Sequence, residues 1–128
     1  MDVNGKILLT DFIEANSSKE ILTGAQQTKL YLPNLKQKNI AIVANQTSIL
    51  FKNEGLNLED QNYTHVVDSL HKLNITIKKV FSPEHGFRGD LDAGQHVSHS
   101  IDEKTGIPLV SLYGSNKKPT DAQLADVD

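Results

Sequence analysis

The strongest constraint on the fold is a run of five apolar residues, 40–44, in the segment "NIAIVANQ". Because the run is continuous and does not alternate with polar residues, it predicts a strand buried on both faces, as in a parallel sheet. A helical pattern follows, since Val66, Val67, Leu70 and Leu73 recur at the spacing of one face of an amphipathic helix. A buried strand followed by such a helix is typical of α/β proteins.

Two further strands and a last helix continue this pattern. The segments "NITIKKVF" and "GIPLVSLYG" predict the second and third strands. "PTDAQLADVD" predicts a helix, because Thr120 and Gln123 fit a capping box in which each side chain satisfies a free backbone N–H. An earlier segment, "TGAQQTKLYLPNL", predicts a short helix that ends near Pro33. The order of elements predicts an α/β fold, a Rossmann-like parallel sheet with flanking helices.

The length of 128 residues corresponds to about one domain. Residues 1–20 are polar and weakly patterned, which predicts a mobile lead-in. Residues 21–128 carry all the predicted helices and strands. The sequence stops at "DVD", where the pattern predicts the lead-in to a fourth strand, so we expect a truncated domain.

The composition excludes several classes of function. A net charge of −3 and basic runs of at most two residues disfavour a nucleic-acid partner. The absence of cysteine excludes disulfides, zinc–thiolate sites and cysteine nucleophiles. The apolar runs are far shorter than a membrane span, and the first residues lack the basic and apolar regions of a signal peptide.

Polar residues follow each predicted strand at the point where it ends. Asn45 opens the loop after the first strand, Glu84 and His85 belong to the loop after the second, and Tyr113 follows the third. In an open parallel sheet, ligands bind beyond the carboxyl ends of the strands, where these loops meet. The predicted topology therefore places a candidate site at this edge.

The loop after the second strand, "FSPEHGFRGDLDAGQ", also has a purely structural interpretation. Ser82, Pro83 and Glu84 fit the cap and first turn of a helix, but glycines follow at once and no apolar helical spacing develops. On this interpretation His85 is a hydrogen-bonded loop residue, and Arg88 pairs with Asp90 or Asp92. Both the structural and the functional interpretation of Glu84 stay open on the residues alone.

Other chemistries find little support in the sequence. The first strand is not followed by Gly-x-Gly-x-x-Gly, and no Gly-x-Ser-x-Gly elbow occurs, which disfavours a dinucleotide site and a serine hydrolase. His85, Asp90, Asp92, His96 and His99 form a histidine–acid group whose spacing matches no metal motif with a known mechanism. We predict no metal site.

Five segments in the same order resemble one bacterial family, the exo-β-N-acetylmuramidases of peptidoglycan recycling, formerly a domain of unknown function. The block "PEHGFRGD" at residues 83–90 is the most specific of them. The other four segments are "LTGAQQ", "KNIAIVANQTSI", "DEKTGIPLVSLYG" and "KPTDAQLADVD". The resemblance covers most of this chain and only part of a family member.

The resemblance implies a Rossmann-like N-terminal domain, a smaller C-terminal domain and a cell-wall hydrolase that needs no cofactor. Such an enzyme releases terminal N-acetylmuramic acid from the non-reducing end of peptidoglycan fragments, in the periplasm or outside the cell. The catalytic residues that it implies are Glu84 and His85. It also implies Asn45 and Arg88 as substrate-binding residues. We predict the same role for Asp90, which lies in the same loop as Arg88, and for Tyr113, which follows the third strand.

Two other functions remain open on the sequence. One is a metal-dependent hydrolase that uses His85, Asp90 and His96. The other is a non-catalytic module that binds peptidoglycan or its sugars. The resemblance implies that family members continue beyond the position of residues 126–128, so part of the site is expected to come from outside this sequence.

Overall fold

Three parallel strands form the centre of the fold in a computed structural model that describes residues 22–51, 63–83, 86–89, 100–115 and 117–128. They are β1 (Asn39–Val43), β4 (Thr76–Ser82) and β6 (Pro108–Ser111). A short strand, β5 (Ser100–Ile101), pairs antiparallel with β6 and completes a four-stranded sheet in the order β1-β4-β6-β5. The predicted α/β fold with a mostly parallel sheet is confirmed.

The helices lie where the sequence predicts them, with one difference in length. They are α1 (Thr28–Leu35), α2 (Val66–Lys72) and α3 (Asp121–Leu124). A short 3-10 helix, Gly24–Gln26, precedes α1. Helix α1 contains Pro33 and continues for two residues beyond it, so it is slightly longer than predicted. A proline removes one N–H donor from the helix, and here the helix ends soon after that loss.

The predicted capping box at α3 is present. The Thr120 hydroxyl accepts a hydrogen bond from the Gln123 N–H at 3.3 Å, and the Gln123 side chain accepts one from the Thr120 N–H at 2.9 Å. After this helix the chain reaches the start of β1. There the Asp128 N–H donates to the Asn39 carbonyl at 2.9 Å, and the Asn39 N–H donates to the Asp128 carboxylate at 2.7 Å.

The strand buried most deeply is β4, not β1. Val80, Phe81 and Ser82 of β4 are almost completely buried, whereas β1 is half-buried and Val43 is 64% exposed. The prediction that β1 is buried on both faces is therefore wrong for this chain. Within the described residues β1 is an edge strand with one neighbour, and its outer side has nothing to pack against.

The core lies between the sheet and α2. Its buried members are Ala44, Val67, Val80, Phe87 and Ile107. Phe87 comes from the polar loop after β4, so this loop is anchored in the core by one aromatic side chain.

A second, two-stranded sheet connects β1 to α2. Strands β2 (Ile49–Phe51) and β3 (Tyr63–His65) pair antiparallel, and the sequence did not predict them. None of the helices that the structure describes is long and apolar enough to cross a membrane.

Candidate active site

The loops that follow β1, β4 and β6 lie at one edge of the sheet. The parallel register pairs Val43 with Phe81 and Ser82 with Ser111, so the three strands end at nearly the same level. The Ala44 N–H donates to the Phe81 carbonyl at 3.0 Å and continues the pairing into the first loop. The edge where the sequence predicts a site is thus formed by these three loops.

Asn45 shapes the loop after β1. Its side-chain oxygen accepts hydrogen bonds from the Thr47 N–H at 3.0 Å and the Thr47 hydroxyl at 2.8 Å. Its own N–H donates to the Ser48 hydroxyl at 3.2 Å. Such local bonds from an Asn side chain form an Asx turn, which fixes the loop without using the side-chain NH₂ group. Among the described residues, none accepts a hydrogen bond from that NH₂.

His65 connects this turn to helix α2. Its Nδ1 accepts a hydrogen bond from the Val67 N–H at 3.2 Å, so in the neutral ring the proton is on Nε2. Nε2 then donates to the Asn45 carbonyl at 2.8 Å. His65 is 8% exposed and was not predicted as a site residue. Its only sequence signal is its place just before an apolar helical pattern, where Ser, Thr, Asp or Asn is usual.

Phe87, in the loop after β4, packs against both His65 and Arg88. The His65 ring meets it edge-on, with ring centroids 4.7 Å apart and an interplanar angle of 85°. The Arg88 guanidinium packs over the Phe87 ring, with its central carbon 4.4 Å from the ring centroid. These are the favoured geometries of an aromatic pair and of a cation–π contact.

The loops after β1 and β4 touch at Gly89 and Gln46. Gly89 has a φ of 80°, and a Cβ placed on it would lie 3.2 Å from the Gln46 Cβ. A glycine allows both the left-handed backbone and this close approach. Asn45 and Arg88, the neighbours of these two residues in sequence, therefore belong to adjoining loops.

Arg88 is the centre of an ion-pair cluster. It donates to both oxygens of Asp102, from Nε at 3.0 Å and from Nη2 at 2.8 Å. It donates to both oxygens of Asp68, from Nη1 at 3.1 Å and from Nη2 at 2.8 Å. The exposed Lys104 adds a bond to Asp68 at 2.6 Å. The structural interpretation of Arg88 as an ion-pair residue thus holds, with Asp68 and Asp102 as partners where the sequence suggested Asp90 or Asp92.

This cluster keeps both carboxylates ionised. Burial alone would raise the pKa of Asp68, but hydrogen bonds from Arg88 and Lys104 outweigh it and lower the pKa to about 2. Burial opposes ionisation of Asp102 as well, and bonds from Arg88 and Thr105 hold its pKa below the usual range. The bonds to both carboxylates raise the pKa of Arg88. The cluster is electrically balanced, with two carboxylates facing two cations.

Burial gives His65 a pH dependence that can be measured. Burial lowers its pKa below 6.5; the bond to Asn45 and the charges of Asp68 and Asp102 oppose the shift, and that of Arg88 adds to it. Between the folded-state pKa and 6.5 the unfolded chain binds more protons, so stability falls as the pH drops through this window, by at most about 1.4 kcal/mol per pH unit. Asp68 and Asp102 add no pH dependence in this window, because the stability that their lowered pKa values give is lost only when the pH falls below the unfolded pKa of about 4.

We therefore expect the free energy of unfolding in urea to fall between pH 7 and pH 5, and His65→Asn to remove part of that fall. Asparagine also caps helices but does not titrate. His71→Asn is the matched control, because His71 is exposed in the same helix. A His65→Asn variant with the pH dependence of the wild type would contradict this expectation.

The remaining predicted site residues are placed only in part. Tyr113 lies in the loop after β6, half-buried, and its N–H donates to the Ser111 hydroxyl at 3.2 Å. Glu84, His85 and Asp90 lie outside the described residues, as do the alternative metal ligands. A hydrogen bond from the Gly86 N–H to the Pro83 carbonyl, at 3.3 Å, joins the residues that flank Glu84 and His85 in the sequence.

Comparisons with known proteins identify relatives of most of the chain. Residues 40–128 match the family model described as "Exo-beta-N-acetylmuramidase NamZ, N-terminal". Over 99 residues the chain is 41% identical to the peptidoglycan β-N-acetylmuramidase NamZ of Bacillus subtilis strain 168, which covers 77% of this chain and 22% of that protein.

Two crystal structures of DUF1343 family proteins from Bacteroides fragilis have the same fold. One is 39% identical with a TM-score of 0.57, covering 82% of this chain and 23% of the other. The second is 28% identical with a TM-score of 0.59, covering 79% of this chain and 22% of the other. The chain thus spans about a fifth of the length of the relatives that it matches.

Proposed function

The chain belongs to the NamZ N-terminal family, and on that premise we propose that it forms part of a glycoside hydrolase of the bacterial cell wall. The proposed reaction releases terminal N-acetylmuramic acid from the non-reducing end of peptidoglycan fragments. The observation that carries the proposal is the family match over residues 40–128, which includes the block at residues 83–90 directly after the most buried strand. The proposed location is the periplasm or the cell exterior, where peptidoglycan is found.

We assign the acid catalysis to Glu84. Hydrolysis of a glycosidic bond usually needs one carboxylic acid that protonates the leaving oxygen and a second group that attacks the sugar or activates water. A glutamic acid can do this near neutral pH when burial raises its pKa. The described neighbours in the sequence suit such an environment, since Phe81, Ser82 and Phe87 are all buried.

The partner of Glu84 is proposed from the same loop or from the substrate. Asp90 and Asp92 are candidates for the second carboxylate, and the N-acetyl group of the sugar is an alternative nucleophile. His85 is proposed to orient Glu84 through a hydrogen bond. Glu84, His85 and Asp90 all belong to the family block at residues 83–90. Their roles depend on where the sugar binds.

The substrate contacts are proposed for the loops after β1 and β6. The Asn45 side-chain oxygen is fixed by hydrogen bonds from Thr47, so the turn also sets the orientation of its NH₂ group. That NH₂ is suited to donate to an amide oxygen or a hydroxyl of the sugar. Tyr113 offers an aromatic face and a hydroxyl from the third loop. The lactyl carboxylate distinguishes muramic acid from other amino sugars, and the role of Arg88 towards it is treated below.

A second candidate function is a module that binds peptidoglycan sugars without cleaving them. One observation favours it: the chain spans about a fifth of the length of its relatives, so residues from the rest of such a protein are proposed to complete the catalytic site. Binding of N-acetylmuramic acid without turnover would support this function over hydrolysis.

The test compares two chromogenic β-glycosides, one of N-acetylmuramic acid and one of N-acetylglucosamine, which lacks the lactyl group. The full natural protein that contains this sequence is expected to release the chromophore from the first with a kcat/KM at least about tenfold higher. That ratio follows from one charge-assisted hydrogen bond to the lactyl carboxylate, about 1.5–3 kcal/mol. A folded protein that releases the chromophore from neither glycoside would contradict the proposal.

A further inference from the structure

We infer that Arg88 is a positioning residue: it locks the segment at residues 86–89 onto α2 and the β5–β6 connection, and it does not bind the carboxylate of the sugar. The inference rests on the proposed function, because the segment that Arg88 holds directly follows Glu84 and His85 in the sequence. It replaces the substrate-binding role that the family resemblance implies for this residue.

The first argument is the number of donors that Arg88 has left. A guanidinium has five N–H groups, and four of them already donate to Asp68 and Asp102. At most one N–H, on Nη1, is available to a ligand. Bidentate recognition of a substrate carboxylate needs two parallel N–H groups, so one of the two present partners would have to leave.

The second argument is that neither partner can leave without a large penalty. Asp68 and Asp102 are each 5% exposed, and removing the partner of a buried charge is strongly destabilising. The charges of Asp68, Asp102, Arg88 and Lys104 are balanced, so a third carboxylate would give the cluster a net negative charge. Hydrogen bonding therefore excludes a bidentate contact between Arg88 and a lactyl carboxylate, and the charge balance opposes any carboxylate at this position.

The third argument is that Asp102 is held rigidly before any substrate binds. Its carboxylate accepts hydrogen bonds from the Thr105 N–H at 3.1 Å and the Thr105 hydroxyl at 2.5 Å. Its backbone N–H donates to the Ile107 carbonyl at 2.9 Å, and its carbonyl accepts from the Gly106 N–H at 2.8 Å. Asp102 thus offers Arg88 two carboxylate oxygens in a fixed orientation, held by a tight turn between β5 and β6.

The fourth argument is what Arg88 holds in place. The guanidinium packs on Phe87, Phe87 packs on the edge of His65, and His65 donates to the Asn45 carbonyl. Gly89, on the other side of Arg88, rests against Gln46. These contacts fix the loops after β1 and β4 relative to each other. A fixed distance between these loops is what a catalytic carboxyl in one and a substrate-binding amide in the other require.

The test measures kcat, KM and inhibition by free N-acetylmuramic acid in the full natural protein, using the chromogenic muramic acid glycoside. We expect Arg88→Lys and Asp102→Asn each to lower kcat by roughly 10–100-fold, since small displacements of reacting groups have effects of this size. We expect the inhibition constant of N-acetylmuramic acid to change by less than about twofold. The double variant should be no worse than Arg88→Lys alone, because both changes break one network. Glu103→Gln is the control, an exposed acid beside Asp102.

A different pattern would overturn the inference. If Arg88 binds the lactyl carboxylate, Arg88→Lys raises the inhibition constant about 10–100-fold, and Asp102→Asn leaves it unchanged or lowers it. Because Asp102→Asn does not alter Arg88 itself, it tests the inference even where Arg88→Lys fails to fold.

A protein without activity on the muramic acid glycoside would contradict the proposed function, and the inference then depends on amide NMR spectra of this chain. We expect Asp102→Asn to shift the amide signals of Phe87, Gly89 and Gln46, although Gln46 is far from residue 102 in sequence. Shifts confined to residues near Asp102 in the sequence would overturn the inference independently of any activity.

Discussion

Replacing Glu84 with Gln in the full natural protein is expected to lower kcat on the chromogenic muramic acid glycoside by roughly 10²–10⁴-fold. Glutamine has nearly the shape of glutamic acid but cannot donate a proton to the leaving oxygen. Because the change preserves shape, KM is expected to change little, which places the loss in the chemical step. The measurement is steady-state kinetics at several pH values.

The matched control for Glu84→Gln is Glu103→Gln, which makes the same chemical change at an exposed position between β5 and β6. The control is expected to keep the wild-type kcat within about twofold, since surface substitutions have small effects. Near-normal turnover of the Glu84 variant would remove this residue from the mechanism and leave Asp90 as the next carboxyl to test.

Replacing Phe87 with Ala is expected to lower the free energy of unfolding by roughly 3–5 kcal/mol. Phe87 is 3% exposed and packs with Ala44, Val67 and Val80 in the core. Alanine leaves a cavity there and removes the contacts with the His65 ring and the Arg88 guanidinium. Urea unfolding of this chain, followed by far-UV circular dichroism, measures the loss.

The control for Phe87→Ala is Phe87→Leu, which keeps most of the apolar volume but removes the ring. The expected loss is smaller, about 1–1.5 kcal/mol, because volume-conserving substitutions are tolerated and only the aromatic contacts disappear. If alanine has no larger effect than leucine, Phe87 does not anchor its loop through burial, and the positioning role of Arg88 loses its basis.

The parts of the fold that sequence reasoning identified are those set by local patterns. The capping box of Thr120 and Gln123 needs residues three apart, and the helix of Val67 and Leu70 follows from the spacing of its apolar side chains. The carboxyl edge followed from strand order alone, because parallel strands must end together. These features require no knowledge of distant contacts.

The features that sequence reasoning missed depend on partners far apart in the chain. Arg88 lies 20 residues after Asp68 and 14 before Asp102, and nothing local distinguishes these acids from the nearer Asp90 and Asp92. The exposure of β1 follows from its place at the sheet edge, which an apolar run does not reveal. The pairing of β2 with β3 joins segments too short and too far apart to show a pattern.

The candidate site was predicted through the family block more than through physical pattern. A polar loop after a buried strand indicates where a ligand can bind, but not which acid acts on it. His65 shows the opposite case, since its role comes entirely from geometry: a cap for α2 on one ring nitrogen and a bond to Asn45 on the other. Spacing in the sequence gives no sign of that second bond.

The central proposal is that this sequence forms part of an enzyme that cleaves the glycosidic bond of a terminal N-acetylmuramic acid. The most direct measurement is sugar release by the full natural protein from two disaccharides of the same two sugars in opposite order. We predict free N-acetylmuramic acid from the disaccharide that carries it at the non-reducing end, and no cleavage of the one that begins with N-acetylglucosamine. Equal cleavage of the two, or release of N-acetylglucosamine from the second alone, would contradict the account.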